Sequence, residues 1–360
     1  MRLELVKRSE RSRLMAVVSP IAAVAATLVT GAVIFAASGV PPLAGLWVFF
    51  LEPFSSLWSL EELVVKATPL ILIGCGLSLC YRANVWNIGA EGQLTAGALA
   101  GAMVPVFLTG WQSPLTLVAM LVLGVLGGMA WGLIPALLKV KSGANETLVS
   151  LMLVYVAQLL LDWLVRGPWR DPHGYNFPKS VSFDGWQTMP TIGDGRLNWG
   201  IVLALLAAIA LTVLLRRTMK GFEIRVLGQA PRAGRFAGFS SERMVIFVFL
   251  VSGGLAGLAG IVELASTVGQ LQPNISPGYG FTAIIVAFLG RLDPIGVVLA
   301  ALMLATSYLG GEAAQVALGI SDKAARVFQG VLLFWVLACD TLILYRLRLV
   351  PSLRKREVTR

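Results

Sequence analysis

The chain has 360 residues, 57% of them hydrophobic and 13% charged, with a formal net charge of +10. Soluble domains carry about a quarter charged residues, so a soluble globular protein is excluded and the membrane class is indicated. The basic excess does not indicate nucleic acid, because Lys and Arg sit at the ends of apolar runs, the pattern that membrane insertion imposes. Cys75, Cys80 and Cys339 fall in or beside apolar runs and read as small buried hydrophobes. The single histidine, His173, lies in a polar loop, so no metal site is expected.

In chain order, the basic segment 1–14 precedes an apolar run from Met15 to about Ser38. That run exceeds the roughly 7 to 15 residues of a signal-peptide core, so it reads as an uncleaved first span. Residues 39–62 mix Pro41, Pro42 and Pro53 with Trp47, Phe49, Phe50, Phe54 and Trp58, an interfacial segment with an aromatic belt. Further apolar runs fall at about 63–81, 93–109, 115–138, 147–165, 198–215, 244–267, 279–290, 295–311 and 327–345. The fold class is therefore an all-α polytopic membrane protein with about ten transmembrane helices, since an apolar run in lipid satisfies its own backbone only as a helix. The transmembrane domain is read as 15–345, with a basic tail at 346–360.

An even number of spans places both termini on one side. Taking that side as cytoplasmic leaves only Lys66, Arg166, Arg170, Lys179, Arg196, Lys323 and Arg326 outside, against 22 of the 29 basic residues inside. This asymmetry supports a multi-pass membrane protein with both termini cytoplasmic. The outer loop 167–197 reads either as an ordinary loop with interfacial Trp169 and Trp186 or as a segment that caps a vestibule or touches a delivery partner.

Two polar interruptions stand out. The stretch Tyr81 to Gln93, YRANVWNIGAEGQ, holds Asn84, Trp86, Asn87, Glu91 and Gln93 between apolar runs. Polar groups at membrane depth are tolerated where they line a cavity or pair with one another, although a capped turn is the alternative. Glu91 is expected to be paired, with Arg82 the nearest cation, or to lie close to water. The second, GYGFTAIIVAFLGRLDPIG, contains Tyr279 and Phe281 in a run too short to span and is broken by Arg291, Asp293 and Pro294; a plain hairpin turn is again the alternative. Paired broken segments in two halves of a transporter point to a substrate path. Between them, Gly253, Gly254, Gly257 and Gly260 read as helix packing. In KVKSGANET, Asn145 and Glu146 read equally as an inner-face polar pair or as a helix cap.

The segment 216–243 is basic, punctuated by Gly, and caught between two spans. Pro231 suits a first helical turn and Gly238 a left-handed stop, with Gly228 just upstream. Ala233, Phe236 and Ala237 then make an apolar stripe flanked by Arg232 and Arg235, a surface suited to a groove on a partner. No phosphate-binding loop, zinc-protease motif or nucleophile elbow occurs, so no catalytic residue is assigned, and any ATP-driven step needs another chain.

With these motifs in view, the chain resembles the permease subunits of ATP-binding-cassette importers, in the branch that includes the ribose and nucleoside systems. The resemblance covers about residues 62–335 and rests on NIGAEGQ, on KGFEIRVLGQAPRAGRFAGFS with SGGLAGLAG, and on GYGFTAIIVAFLGRLDPIG. NIGAEGQ is similar to the nucleoside group rather than the ribose group. Val154 before Tyr155 departs from the Asn common in this family at that place. The resemblance implies cytoplasmic ATPase partners that bind ATP and Mg, with no cofactor in this chain. It also implies a second permease subunit, identical or homologous, and an extracytoplasmic substrate-binding protein. The helix at Pro231 to Gly238 would then be the coupling helix. The alternative from another class is an ion-coupled secondary transporter, with Glu263, Asp162 and Asp340 as candidate carboxylates.

Overall fold

The computed structural model describes residues 2–7, 13–108, 110–319 and 345–350, with isolated positions between 321 and 339. It divides into two compact units, residues 54–306 and a second made of 1–53 with 307–360.

In the second unit, β1 (Arg2–Lys7) precedes α1 (Arg13–Ala37) and α2 (Pro42–Phe50). The expected interfacial segment is thus partly helical, with Phe49 buried and Trp47 exposed. Phe49 packs on Phe35 and Ala314.

The larger unit is built on α3 (Leu57–Arg82), α4 (Ala90–Phe107), α5 (Pro114–Ser142) and α6 (Glu146–Arg166). After the loop 167–197 come α7 (Gly200–Arg217), α8 (Met219–Gln229) and α9 (Pro231–Phe236). Then follow α10 (Ser241–Glu263), continued by one π-helical turn at Leu264–Val268, α11 (Tyr279–Leu289) and α12 (Pro294–Leu318). At the far end of the chain, β2 (Tyr345–Val350) pairs antiparallel with β1, Arg2 opposite Val350 and Lys7 opposite Tyr345. Among the described residues, six helices are long and apolar enough to cross a bilayer. The expected span at 327–345 lies largely outside the described residues.

Local chemistry sets the boundaries. Ser56, Ser113, Asn145 and Ser240 each accept a backbone N–H at the start of α3, α5, α6 and α10, satisfying donors that a helix leaves open. For Asn145 the capping reading holds, and Glu146 beside it pairs with Lys139. α3 is buried on every side beyond its first turn, so it is the central helix and shows no polar face.

Glycine decides how closely α10 approaches its neighbours. A Cβ at Gly257 would fall closer than 3.0 Å to the Gly124 carbonyl oxygen and to backbone atoms of Gly128, and one at Gly97 would meet the Gly257 backbone. Helices α4, α5 and α10 therefore touch backbone to backbone, the packing that small residues permit where lipid supplies no hydrophobic drive.

The loop 167–197 is firmly docked. Ser180, Phe183 and Met189 donate their N–H groups to the carbonyls of Leu271, Gly269 and Ala265, at 2.8 to 2.9 Å. Trp169, expected at the interface, is instead buried edge-to-face on Phe107, centroids 5.6 Å apart, while Trp186 stays exposed.

Candidate functional site

Between α3 and α4 the chain turns through Asn84, whose φ of 56° is left-handed, and enters the protein again at Asn87. Asn87 is fully buried and its amide uses its whole hydrogen-bonding capacity. Nδ2 donates to Gln93 Oε1 at 3.0 Å and to Ser252 Oγ at 3.1 Å, and Oδ1 accepts from Gly89 N at 3.0 Å and Gln93 Nε2 at 3.2 Å. Its carbonyl accepts Tyr81 Oη at 3.0 Å, and the next N–H donates to Ser150 Oγ. The side-chain amide thus ties α4 to α10, and the peptide group between Asn87 and Ile88 adds α3 and α6. Such a saturated network specifies a single arrangement, because any buried polar group left unpaired is costly.

Glu91, on the first turn of α4, is 3% exposed, and its Oε2 accepts the N–H of Gly280 at 2.6 Å. Gly280 belongs to the first turn of α11, which opens at Gly278 with φ 101° and has two N–H groups held by Ser276 Oγ. The carboxylate therefore sits where a helix presents unsatisfied donors and the positive end of its dipole. A Cβ at position 280 would collide with the Glu91 backbone and carboxylate, so the contact also requires glycine. Helix α11 rises only about 16 Å, half a bilayer core. The two interruptions expected from sequence meet at this joint.

The other end of α11 is also fixed to the first interruption. Phe288 stacks on Tyr81 with centroids 4.9 Å apart and lies 6.0 Å from the Trp86 ring. Arg291 and Leu292, both at left-handed φ, turn the chain into α12, so the hairpin turn is real and the short helix is too. Arg82 does not reach Glu91. It donates to the Leu292 carbonyl at 2.7 Å and lies 3.5 Å from Asp293, which also takes both bonds of Arg216 at 3.0 and 3.1 Å.

At the end of the bundle that carries Arg216, the expected helix begins with Pro231 at its first position and ends at Phe236, two residues before the left-handed Gly238, φ 83°. Arg232, Ala233, Arg235, Phe236 and Ala237 are exposed, and Phe236 is 95% exposed. The sequence reading missed α8, which precedes it and buries Gly221, Ile224 and Leu227. Gly234 packs on Leu227, and Phe222 meets Phe239 edge-on at 6.1 Å, so α8 and α9 form one body. Gly228 touches the Arg82 carbonyl so closely that no Cβ fits there. The foot therefore rests directly on the end of α3, one residue before the turn into Asn84.

Of the path residues expected from sequence, Asn87, Glu91, Gln93 and Tyr279 are buried, and the first three are tied up within the protein. Asn84, Trp86 and Phe281 are exposed, the rings by 44% and 39%. Sequence reasoning missed Ser252 as a partner; a hydroxyl opening a glycine run in an apolar span was the available signal. Asp162 pairs with Arg166 at 2.7 Å on an exposed face, Glu263 is buried at the end of α10, and Asp340 lies outside the described residues. Among the described residues no group of His, Cys, Asp and Glu is placed to hold a metal ion.

Comparison with known proteins agrees with this architecture. Residues 59–337 match the family described as branched-chain amino acid transport system, permease component. The chain is 36% identical to the glucose ABC transporter permease protein TsgB13 of Haloferax volcanii, over 91% of this chain and 89% of that one. It is 28% identical to the guanosine ABC transporter permease protein NupP of Bacillus subtilis, over 96% and 98%. It is 26% identical to the nucleoside ABC transporter permease protein NupB of Lactococcus lactis subsp. cremoris, over 96% of each. With broken helices joined inside a many-span bundle and a match across most of its length, the chain belongs to this family and is a multi-pass membrane permease subunit of an ATP-binding-cassette transporter.

Proposed function

We propose that this permease imports a nucleoside or a related simple sugar across the cytoplasmic membrane by alternating access, driven by separate ATPase subunits that bind ATP and Mg. An extracytoplasmic binding protein delivers the substrate, a second permease subunit completes the path, and both termini face the cytoplasm. The observation that carries this reading is the joint between the two broken segments, Glu91 Oε2 on Gly280 N at 2.6 Å, connected to the exposed foot through Arg82 and Gly228. A force applied at Phe236 passes through α8 to the end of α3, and from Arg82 to Asp293 and the start of α12. The residues that shape the path are thus reached from the foot without crossing loose chain.

Within the path, Trp86 and Phe281 offer ring faces to a base or a sugar, and Asn84 offers an amide to hydroxyls. Asn87, Gln93, Glu91 and Tyr279 hold the frame in this state and exchange partners as the joint opens. The names of the relatives, glucose in one case and guanosine or nucleoside in two, support this substrate range. The test is reconstitution in vesicles with ATPase and binding protein, using labelled guanosine and glucose. ATP-dependent accumulation of either is the expected result. Accumulation by this chain alone, or no accumulation of any nucleoside or sugar, overturns the reading.

A further inference from the structure

Between the π-helical turn that ends α10 and the start of α11, residues 269–278 form neither helix nor strand. Gly269 and Gly278, at φ 72° and 101°, turn the chain at the two ends, and Pro273 and Pro277 keep a helix from forming between them. The two ends stand at different depths. Leu271 is docked on the loop 167–197, its N–H donating to Ser180 Oγ and its carbonyl accepting Ser180 N, both at 2.9 Å. Gly278 opens α11 beside Glu91, and nearby Asn87 reaches Ser252, halfway along the 23 residues of α10. Residues 272–277 therefore descend through about half the thickness of the bundle as open chain.

One side of this chain is dry: Leu271 and Ile275 are buried in a cluster with Ala98, Leu161 and Leu264. The other side is polar, with Asn274 exposed and Gln272 half-buried. Gln272 Nε2 donates to the Asn274 carbonyl at 3.1 Å, which leaves its Oε1 and second N–H for other partners. Among the described residues no hydrogen bond reaches the Asn274 side chain, the N–H groups of Gln272 and Asn274, or the carbonyls of Gln272 and Pro273. Neither lipid nor an apolar helix of a second copy can pair such groups, and at membrane depth open backbone of this kind occurs where it faces a water-filled cavity. No charged residue occurs between Glu263 and Arg291, so donors and acceptors stand together on a wall without charge.

We propose that residues 272–277 form a wetted wall of the substrate path, and that the side-chain amides of Gln272 and Asn274 recognise a neutral solute bearing hydroxyls or ring nitrogens before it meets the joint at Glu91 and Gly280. An amide both donates and accepts, so it answers either group, whereas a phosphorylated solute finds no cation on this wall. The neighbouring polar side chains are already engaged. Gln270 Oε1 accepts Ser182 Oγ, and Ser276 Oγ holds the N–H groups of Gly278 and Tyr279, so recognition falls on the two amides. The recognition role rests on the transport reading above; the wetting of the wall does not.

The experiment is thiol labelling of introduced cysteines in the full chain in lipid vesicles, with the unsubstituted chain, whose Cys75, Cys80 and Cys339 are buried, as background. Asn274→Cys should react with a small membrane-impermeant methanethiosulfonate about tenfold faster than Ile209→Cys on the exposed apolar face of α7, because the attacking thiolate needs water. A polymer-bearing maleimide should label Tyr175→Cys, 94% exposed on the loop 167–197, but not Asn274→Cys. Labelling of Asn274→Cys no faster than that of Ile209→Cys, or polymer labelling as fast as that of Tyr175→Cys, overturns the wall. In the reconstituted transporter, the solute that accumulates should slow labelling of Asn274→Cys, and Asn274→Ala should raise its KM about tenfold at an unchanged unfolding midpoint. Absence of protection with an unchanged KM overturns the recognition role. If labelling stays fast while neither guanosine nor glucose accumulates, the transport reading fails and the wetted wall stands, so the two failures are distinguishable.

Discussion

The interior around Asn87 and the foot at α9 invert each other. In the first, polar atoms lie deep in an apolar bundle and every hydrogen bond of one amide is made inside the protein. In the second, an aromatic ring and two alanines stand in water with nothing against them. The interior arrangement is complete without a partner, and its cost of disruption is internal. The exposed face of the foot, Phe236 with Ala233 and Ala237, contributes almost nothing to the fold of the isolated chain.

That contrast is broken most severely at the glycine seam. Gly257→Val sets a branched side chain against the α5 backbone, where nothing can rotate away, and should exceed the roughly 1–3 kcal/mol of ordinary overpacking. Almost no folded protein is expected by size-exclusion chromatography after mild extraction. Asn87→Ala comes next, leaving Gln93, Ser252 and Gly89 N short of partners at about 1–3 kcal/mol for each group that water cannot reach. A thermal-unfolding midpoint equal to that of the unsubstituted chain would show that the network is not the lock described here. Glu91→Ala should cost about 1–3 kcal/mol through the orphaned Gly280 N–H, and Glu91→Gln, which keeps an acceptor, should recover most of it. Equal effects of the two would assign the role to charge and not to the hydrogen bond. Phe236→Asp should leave the unfolding midpoint within the small range of surface changes, about 0.5 kcal/mol. Uptake by the reconstituted complex should nevertheless fall more than tenfold, and normal uptake would remove the docking role.

How much of this was legible in the sequence depends on the range of the interaction. Helix α11 could be found because its shortness is a local count, and the foot because Pro231 and Gly238 punctuate it. Helix α8 could not: Gly221 and Gly228 weaken it as an isolated helix, and what holds it is burial of Ile224 and Leu227 and the contact with Arg82. The partner of Arg82 was misjudged for a related reason. Glu91 is nine residues away in the chain, but Asp293 is the one in reach, and proximity along a sequence says little once a turn intervenes. Likewise the two broken segments could be named as a pair, yet the bond between them, spanning 189 positions, was visible only in three dimensions.

The ribbon formed by β1 and β2 carries a topological consequence. Two ends that are hydrogen-bonded in register from Arg2 with Val350 to Lys7 with Tyr345 must emerge into the same aqueous compartment. The polypeptide between them therefore traverses the bilayer an even number of times, whatever the status of any single marginal segment. A reporter fused at either end would sample the same compartment, and a topology map that separated the two would be incompatible with the ribbon.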